Sequence, residues 1–405
     1  MPANYLILGQ LIQKSMPSFF EAKKRTVAKA DDASQLLRKP IISHENLRLR
    51  SDDLFAAMGR IMRWAGPSDE IYFDQFPASE IPDDITLVAT DGSQRIPNPA
   101  TDGNILSGVL WGITNVGAIT WPRQNGQFLS MTEHVDTALF LENSLFTTEN
   151  TRKTEEHISL LRDVHEREYL TEIAMRVGPN TLAILDSEIE IWGAKDSQLA
   201  GDFQSSLRRV VEIYTMLRDH NIPYVGYIDS ARSELLVRLL EIGALRPKDV
   251  VDYKRIRRNR LFPMVSDEMV LRNWLKPGYR TALFKLCTES QGAFPDHESL
   301  RPYLCYLNVG EDKRPRIVRV NFPAWLASDK ARVDQIVGIL FDQCKKTGNV
   351  RYPWILHRSH EVAVIKQEEH DGIRQMIMAE YLKYEYNLSD PSAKQALKNL
   401  SRRDR

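Results

Sequence analysis

Long apolar runs, paired cysteines and an excess of charge of one sign are all missing from this sequence. No segment reaches the roughly 18 apolar residues that a membrane-spanning helix needs, and no basic region precedes the short apolar run near the N-terminus. The three cysteines, Cys287, Cys305 and Cys344, form no CxxC pair, which argues against a disulfide framework and against a zinc ribbon. We therefore expect a cytoplasmic protein without a membrane partner.

The charged residues balance, since 54 Lys and Arg face 54 Asp and Glu. A protein that binds nucleic acid through a strongly basic total charge is excluded, and any basic surface must be local. The 405 residues are 42% hydrophobic and 27% charged, which is ordinary for a globular protein with a sizeable core. The length allows one large domain or two ordinary ones.

The hydrophobic pattern predicts an α/β protein. Residues 1–80 are expected to be mostly helical, and the successive strands over 105–135 favour antiparallel pairing. Helices and strands then alternate over 153–243, which favours parallel strands, so we predict a mixed sheet flanked by helices. Later elements are a hairpin over 302–323 and two closing helices, at about 328–346 and 360–386.

Two apolar segments lead into an aspartate. LVATDGS (87–93) reaches Asp91, and TLAILDSEIEIW (181–192), expected to be one buried strand, contains Asp186. Neighbouring parallel strands place such residues side by side at the carboxyl edge of the sheet, where converging carboxylates suit Mg²⁺ or Mn²⁺. The alternative is structural: Asp91 and Gly92 form a turn that bends the chain away, and Asp186 caps a helix.

A helix expected over about 153–177 offers a further carboxylate. A helical wheel directs Glu168 toward the interior, with Glu172 nearly on the same face and Glu166 well away from it. Glu168 is therefore the candidate third ligand. An exposed helix glutamate is the alternative.

RYPWILHRSH (351–360) is the second group of candidate residues. Ser359 is expected to cap a helix that starts near His360, and the positive end of the helix dipole would favour the neutral, metal-binding form of that histidine. His357 lies three residues earlier, but no HExxH motif or cysteine accompanies the pair, so zinc is weakly supported. A surface or capping histidine is the alternative.

The segment KRIRRNR is strongly basic. Such a density of positive charge can neutralise DNA phosphates, although a solvated helix face fits it equally well. The candidate DNA-binding residues are Lys254, Arg255, Arg257, Arg258 and Arg260.

Taken in chain order, these motifs resemble the NurA nuclease family. The resemblance covers roughly residues 85–375 and rests on LVATDGS, LAILDSEIEIW, VGYIDSARSELLVRLL, RIVRVNFPAW and RYPWILHRSHEVAVI. It implies an RNase H-like fold. The implied organisation is a helical N-terminal extension (1–80), a nuclease domain (81–386) and a polar C-terminal tail (387–405).

The resemblance also implies an activity and partners. Family members are Mn²⁺-dependent nucleases, with Mg²⁺ as the alternative metal, that degrade single- and double-stranded DNA from 5′ to 3′ and cut single strands internally. They work with a HerA-type hexameric ATPase in processing DNA ends for recombinational repair. They assemble as dimers, so a homodimer is expected here.

The resemblance assigns site residues position by position. In this sequence Ser187 and Ser359 replace a usual glycine and a usual alanine, and Asp229 stands where many relatives have a lysine. Asp229 could add a carboxylate to the site or simply end its strand. The implied metal ligands are Asp91, Glu168, Asp186 and His360, and Tyr352 joins them as a catalytic residue.

Two other functions stay open. One is a catalytically inactive adaptor that binds DNA ends and a HerA-type translocase. The other is a phosphotransferase or phosphatase with Asp91 as nucleophile, although Gly92 and Ser93 follow it in place of the Asp-x-Asp pattern expected of common aspartate phosphatases.

Overall fold

The computed structural model describes residues 4–58, 62–95, 111–141, 155–191, 200–245, 260–288, 294 and 297–383. The chain divides into two compact units, each built from two stretches of sequence. The first unit contains residues 1–81 and 226–353, and the second unit contains residues 82–225 and 354–405. The predicted polar tail, 387–405, lies outside the described residues.

Helices and strands alternate along much of the described chain. The helices are α1 (Tyr5–Arg38), α2 (His44–Met58), α3 (Glu155–Val177), α4 (Ala200–Asp219), α5 (Leu235–Ala244), α6 (Asp267–Leu271), α7 (Ala324–Ala327), α8 (Lys330–Lys346), α9 (Trp354–Ala363) and α10 (Gln367–Lys383). The strands are β1 (Trp64–Pro67), β2 (Gln75–Pro77), β3 (Ile85–Arg95), β4 (Trp111–Gln124), β5 (Gln127–Phe128), β6 (Thr132–Leu141), β7 (Thr181–Leu185), β8 (Tyr224–Ile228), β9 (Tyr279–Thr281), β10 (Phe284–Cys287), β11 (Pro302–Asn308) and β12 (Ile317–Pro323).

The second unit contains a mixed sheet centred on β3. This strand pairs antiparallel with β4 and parallel with β7, and β4 also pairs with β5 and β6. Leu87, Val88 and Ala89 of β3 are fully buried, as are Leu182 and Leu185 of β7, because helices cover these central strands. The predicted α/β fold class, a mixed sheet flanked by helices, is confirmed.

The first unit contains an antiparallel sheet. Its strands follow the order β1, β10, β11, β12 and β8, and β9 pairs with both β11 and β2. The predicted hairpin is present as β11 and β12, which pair from Pro302 opposite Pro323 to Asn308 opposite Ile317. The strands β1 and β2 were not predicted within the helical N-terminal region. Short strands of three or four residues give too little alternation to be recognised in a sequence.

The long helix α1 opens the predicted N-terminal helical region. Asn4 caps it by accepting a hydrogen bond from the backbone N–H of Ile7 at 3.2 Å. Its buried residues are confined to the C-terminal end, from Ala30 to Leu37, where they join the core of the first unit. Among the residues that the structure describes, no helix combines the length and the apolarity needed to cross a membrane.

Two strand ends differ from the prediction. The strand expected over 181–192 is shorter and ends at Leu185, so Asp186 directly follows an apolar strand, as predicted. Gly92 does not bend the chain away, because β3 continues through it to Arg95. Its lack of a side chain serves packing, since a Cβ there would lie 2.9 Å from Cγ of Arg162 and 3.3 Å from Oε2 of Glu166 on α3.

The C-terminal helices also differ from the prediction. A helix starting near His360 was expected, but α9 begins at Trp354, directly after Pro353, and α10 is a separate helix. Proline is well tolerated at the start of a helix, so Pro353 is the start signal that the prediction overlooked. Ser359 is fully buried and donates to the carbonyl of Leu356 at 2.9 Å, so it is not the expected cap.

Candidate metal centre

The sheet of the second unit brings Asp91 and Asp186 to the same edge. The parallel register of β3 and β7 ends with Thr90 opposite Leu185, and each aspartate is the next residue of its chain segment. Neighbouring strands lie about 4.8 Å apart, so the two backbone positions are adjacent. The predicted placement at a shared carboxyl edge therefore agrees with the register. The role of these aspartates as metal ligands stays a prediction.

His360 is in direct contact with Asp91. Its Nδ1 lies 2.5 Å from Oδ2 of Asp91, whose other oxygen accepts the N–H of Gly92 at 2.8 Å. The Asp91 side chain is 18% exposed, whereas the imidazole is 60% exposed and thus open to solvent. The structure brings these two predicted residues together across 269 positions of the sequence.

A close approach of α9 to the sheet explains this contact. Gly117 of β4 lies opposite Asp91, and a Cβ at Gly117 would be 2.5 Å from the backbone N of Ala363 and 2.7 Å from the carbonyl of Ser359. The end of α9 is held there by Ser93 and Asn115, whose side chains donate to the carbonyl of Ala363 at 2.5 and 2.9 Å. Gly117 is the sequence signal for this packing, and it was not recognised.

The expected effect of the helix dipole on His360 is wrong. His360 lies in the last turn of α9 instead of the first, so it is not near the positive end of that helix. The interaction that orients its ring is the contact with Asp91. His357 lies on the same helix and faces Glu361, at 3.5 Å, rather than the aspartate.

The helix carboxylate next to Asp91 belongs to Glu166. Glu166 is 5% exposed, so its expected placement away from the interior is wrong. Its Oε2 would lie 3.3 Å from a Cβ at Gly92, the residue that follows Asp91. Glu168 does not join this group, because its carboxylate accepts Nε of Arg209 at 2.5 Å and is 37% exposed. Glu172, the other alternative, pairs with Arg176 on the surface of α3.

Burial is the main reason why the pKa of Glu166 is raised, to about 8. The carboxylates of Asp91 and Asp163 raise it further, and the neighbouring Arg167 and Arg162 oppose the shift. Glu166 is thus neutral at pH 7 unless a cation joins it. A divalent cation between Glu166 and Asp91 would remove the like-charge repulsion that the two carboxylates otherwise share.

Arg167 fixes the segment that follows Asp186. This arginine is 2% exposed, and its Nη2 donates to the carbonyl of Glu188 at 2.7 Å and to Oγ of Ser187 at 3.3 Å. Its Nε donates to the hydroxyl of Tyr214 at 2.8 Å. The segment after β7 is therefore held to α3 by one buried guanidinium. No feature of the sequence singled out Arg167, since arginine is seldom buried.

The donor types at this edge suit a hard divalent cation. Carboxylate oxygens and one imidazole nitrogen are ligands that Mn²⁺ accepts, and carboxylates suit Mg²⁺ as well. Within the described part of the chain, no three histidine, cysteine or acidic side chains already form a ligand set. The carboxylates of buried Glu166 and neighbouring Asp91 suit a metal ion, although the described residues do not form a complete coordination shell.

Tyr352 belongs to the first unit. Its ring meets the ring of Tyr227 edge to face, with centroids 5.8 Å apart, and its backbone N–H donates to Oγ1 of Thr347 at 3.0 Å. The role predicted for Tyr352 in catalysis stays a prediction. Asp229, also in this unit, directly follows β8 and accepts both hydrogen bonds from Nη2 of Arg316, at 2.8 and 2.7 Å. This geometry agrees with a role at the strand end.

The predicted DNA-binding cluster lies largely outside the described residues. Its last member, Arg260, is 13% exposed and pairs with Glu234 and Glu241, each at 2.8 Å. Arg260 therefore contacts two acids of its own unit, and a DNA-binding role is not apparent from its surroundings. The members outside the described residues are Lys254, Arg255, Arg257 and Arg258.

The comparison with protein families identifies the NurA domain. A family model described as the NurA domain matches residues 85–365, which is more than half of the chain. The NurA nuclease from Sulfolobus solfataricus has a similar structure, with 12% identity and a TM-score of 0.48 over 93% of this chain and 97% of that one. A NurA structure bound to dAMP and manganese matches with 12% identity and a TM-score of 0.33 over 73% of this chain and 88% of that one. The catalytic domain of human endonuclease V matches with 11% identity and a TM-score of 0.30 over 82% and 98%. The comparison with curated proteins gives no match.

Proposed function

The chain belongs to the family of proteins with a NurA domain, and we propose that it is a metal-dependent deoxyribonuclease that uses Mn²⁺, with Mg²⁺ as the alternative. The observation that carries this proposal is the acidic edge of the second unit, where Asp91 lies beside buried Glu166 and touches His360. Asp186 follows the adjacent strand. This set of side chains supports hydrolysis of a phosphodiester with a bound cation.

The finer description of the activity follows from family membership. We propose degradation of single- and double-stranded DNA from 5′ to 3′, with internal cutting of single strands. We also propose that the protein acts as a homodimer with a HerA-type hexameric ATPase in DNA-end processing and recombinational repair. The family match over residues 85–365 supports these assignments.

Asp91, Asp186 and Glu166 would hold the cation with His360. When bound, Mn²⁺ would lower the pKa of a coordinated water and polarise the scissile phosphate. Asp91 is oriented for this role by the N–H of Gly92, and Arg167 holds the segment after Asp186. Glu168 stays a predicted ligand, and its ion pair with Arg209 favours Glu166 in its place. Tyr352 would hydrogen-bond a phosphate or a water.

His360 supports proton transfer through its exposed nitrogen. A carboxylate only accepts hydrogen bonds, so Nδ1 is the donor in the contact with Asp91, and in the neutral imidazole the lone pair then lies on Nε2. Nε2 can then accept a proton from the attacking water or bind the cation. Asp91 would stabilise the imidazolium that proton transfer produces.

The test of this function is cleavage of DNA labelled at the 5′ or the 3′ end, single-stranded and double-stranded, with Mn²⁺, Mg²⁺ or EDTA. We expect cleavage with metal and none with EDTA, and release of the 5′ label as mononucleotide before full-length strands disappear. Preparations that bind DNA ends and never cleave them would instead establish the adaptor function.

Mn²⁺ affinity is expected to depend on pH through Glu166. Its pKa of about 8 means that a proton must leave before the carboxylate can bind a cation. Affinity should rise by up to about tenfold per pH unit from pH 6 and level off above pH 8. Titration of free Mn²⁺ by electron paramagnetic resonance measures this.

Glu166→Gln is the control for the pH dependence, because every other titrating group is shared with the wild type. Below pH 8 we expect the Mn²⁺ affinity of the wild type to rise more steeply with pH than that of Glu166→Gln. Above pH 8 we expect the two slopes to be equal. Equal slopes from pH 6 to 8 would contradict the assignment.

In the metal-free protein the same raised pKa predicts an unfolding free energy that falls as the pH rises toward 8, because the unfolded chain releases this proton earlier.

A further inference from the structure

The first unit contains a cleft lined by arginines that the metal centre does not use. The cleft has a volume of about 390 Å³ and is formed by the end of β8, the turn between β11 and β12 and the turn before α9. We call it the arginine cleft. The residues that define it are Asp229, Arg232, Glu311, Arg314, Arg316 and Arg351.

Two of its arginines are held in place by acids. Arg316 donates to both oxygens of Asp229 through Nη2, and among the described residues its Nε and Nη1 have no acceptor, so they can bind another group. Arg351 pairs with Glu311 and is 17% exposed. Guanidinium groups fixed in this way lose little conformational freedom when they bind an anion.

The side chains of the other two arginines, Arg232 and Arg314, are exposed. Neither Arg232 nor Arg314 makes an ion pair with any residue that the structure describes. The cleft contains four arginines against three acids, Asp229, Glu268 and Glu311, and two of these acids are already paired. The lining therefore has a net positive charge and free N–H donors.

The backbone supports the position of Arg351. This residue has φ of 55° and ψ of 45°, a left-handed conformation that costs a side-chain-bearing residue about 1 kcal/mol or more. Oγ1 of Thr347 stabilises the turn, because it accepts the N–H of Tyr352 and donates to the carbonyl of the same residue. A strained residue maintained beside a charged cleft is typical of a binding site.

We propose that the arginine cleft binds phosphate groups of a nucleic-acid strand. The planar fork of arginine matches the oxygens of a phosphate, and a volume of about 390 Å³ admits a phosphate together with its sugar. The choice of nucleic acid as the source of the phosphate rests on the proposed function. The phosphate chemistry itself rests on the cleft.

The test is DNA binding by the variant Arg232→Ala/Arg314→Ala. Anisotropy of a labelled oligonucleotide, measured without divalent metal so that no cleavage occurs, gives affinity against salt concentration. Each lost phosphate contact lowers the salt slope by about 0.9 on duplex DNA, so we expect a slope lower by about 2 and an affinity lower by about tenfold or more at moderate salt.

A charge-matched control is Arg25→Ala/Arg272→Ala. Both arginines are exposed on the same unit and neither lines the cleft. We expect the control to bind as the wild type does, and thermal melting to show that both double variants are folded. Equal slopes and affinities for the cleft variant and the control would overturn the proposal.

Competition distinguishes the source of the phosphate. Inorganic phosphate and dAMP are added to the same binding reaction, and we expect far weaker competition than from unlabelled oligonucleotide. Loss of dAMP binding in the cleft variant with unchanged oligonucleotide binding would overturn the assignment to a strand. The nuclease proposal fails if the wild type shows no metal-dependent cleavage. That result would not change the salt dependence of DNA binding, so the two proposals are tested separately.

Discussion

Asp91→Ala is expected to lower the rate of metal-dependent DNA cleavage by about 10³-fold or more. Asp91 lies within β3, touches His360 and neighbours Glu166, so its loss would remove a proposed ligand and the group that orients the imidazole. A stabilisation of the transition state by several kcal/mol corresponds to this factor. Single-turnover cleavage of an end-labelled oligonucleotide measures it.

Asp219→Ala is the matched control for this substitution. Asp219 ends α4 in the same unit and pairs with its neighbour Arg218 on the surface, so its removal should change stability by less than about 1 kcal/mol and leave cleavage unchanged. DNA binding without metal should stay near wild type in both variants. A folded Asp91→Ala protein that cleaves at the wild-type rate would sink the proposed mechanism.

The positions of Asp91 and Asp186 could be predicted because the signal is local. An apolar run that ends in an acid marks both the strand and its edge, and the alternation of strands and helices indicates parallel neighbours. The observed register, Thr90 opposite Leu185, agrees with this inference. The same local pattern did not show that β3 continues past Gly92, since that depends on α3 packing against the glycine.

The inward-facing acid of α3 could not be found in the same way. Carboxylates at 166, 168 and 172 all lie on one helix, and its rotation depends on which neighbours cover it. Arg167 is buried through hydrogen bonds to Tyr214 and Glu188, and this fixes the rotation that turns Glu166 inward. The helical wheel directed Glu168 inward and placed Glu166 well away from that face.

The orientation of His360 shows a similar dependence on distant residues. Its membership of the same site as Asp91 was implied by family resemblance, but the expected helix start and the expected role of Ser359 were wrong. The packing of α9 on Gly117 is decided by two segments more than 200 residues apart, which no local capping pattern reports. Pro353 was the local signal for the true start of the helix.

Glu166→Gln and Glu168→Gln form the pair of substitutions that identifies the helix ligand. Each replaces a carboxylate by an amide of nearly equal volume, so charge is the main change. We expect Glu166→Gln to lower metal-dependent cleavage by about 10²- to 10³-fold, in the range of other metal-site substitutions, and Glu168→Gln to lower it by less than about threefold.

Stability measurements separate a catalytic effect from a folding effect in this pair. At pH 7 without metal, folding requires Glu166 to take up a proton because its pKa is about 8 in the folded protein, and the amide removes this cost, so we expect Glu166→Gln to melt at the same temperature as the wild type or higher. With Mn²⁺ present, the wild type should gain stability that Glu166→Gln lacks, since ligand binding stabilises the folded state. Glu168→Gln loses only an ion pair that is 37% and 46% exposed, worth less than about 1 kcal/mol.

The opposite ranking would establish Glu168 as the ligand. Cleavage lost in Glu168→Gln and retained in Glu166→Gln would require α3 to rotate and the ion pair with Arg209 to break when metal binds. Arg209→Ala then becomes informative, because it frees Glu168 without removing its charge. If Glu166 is the ligand, Arg209→Ala leaves Mn²⁺ affinity unchanged, because the buried position of Glu166 depends on Arg167 and the contacts of α3 with β3 rather than on that surface pair.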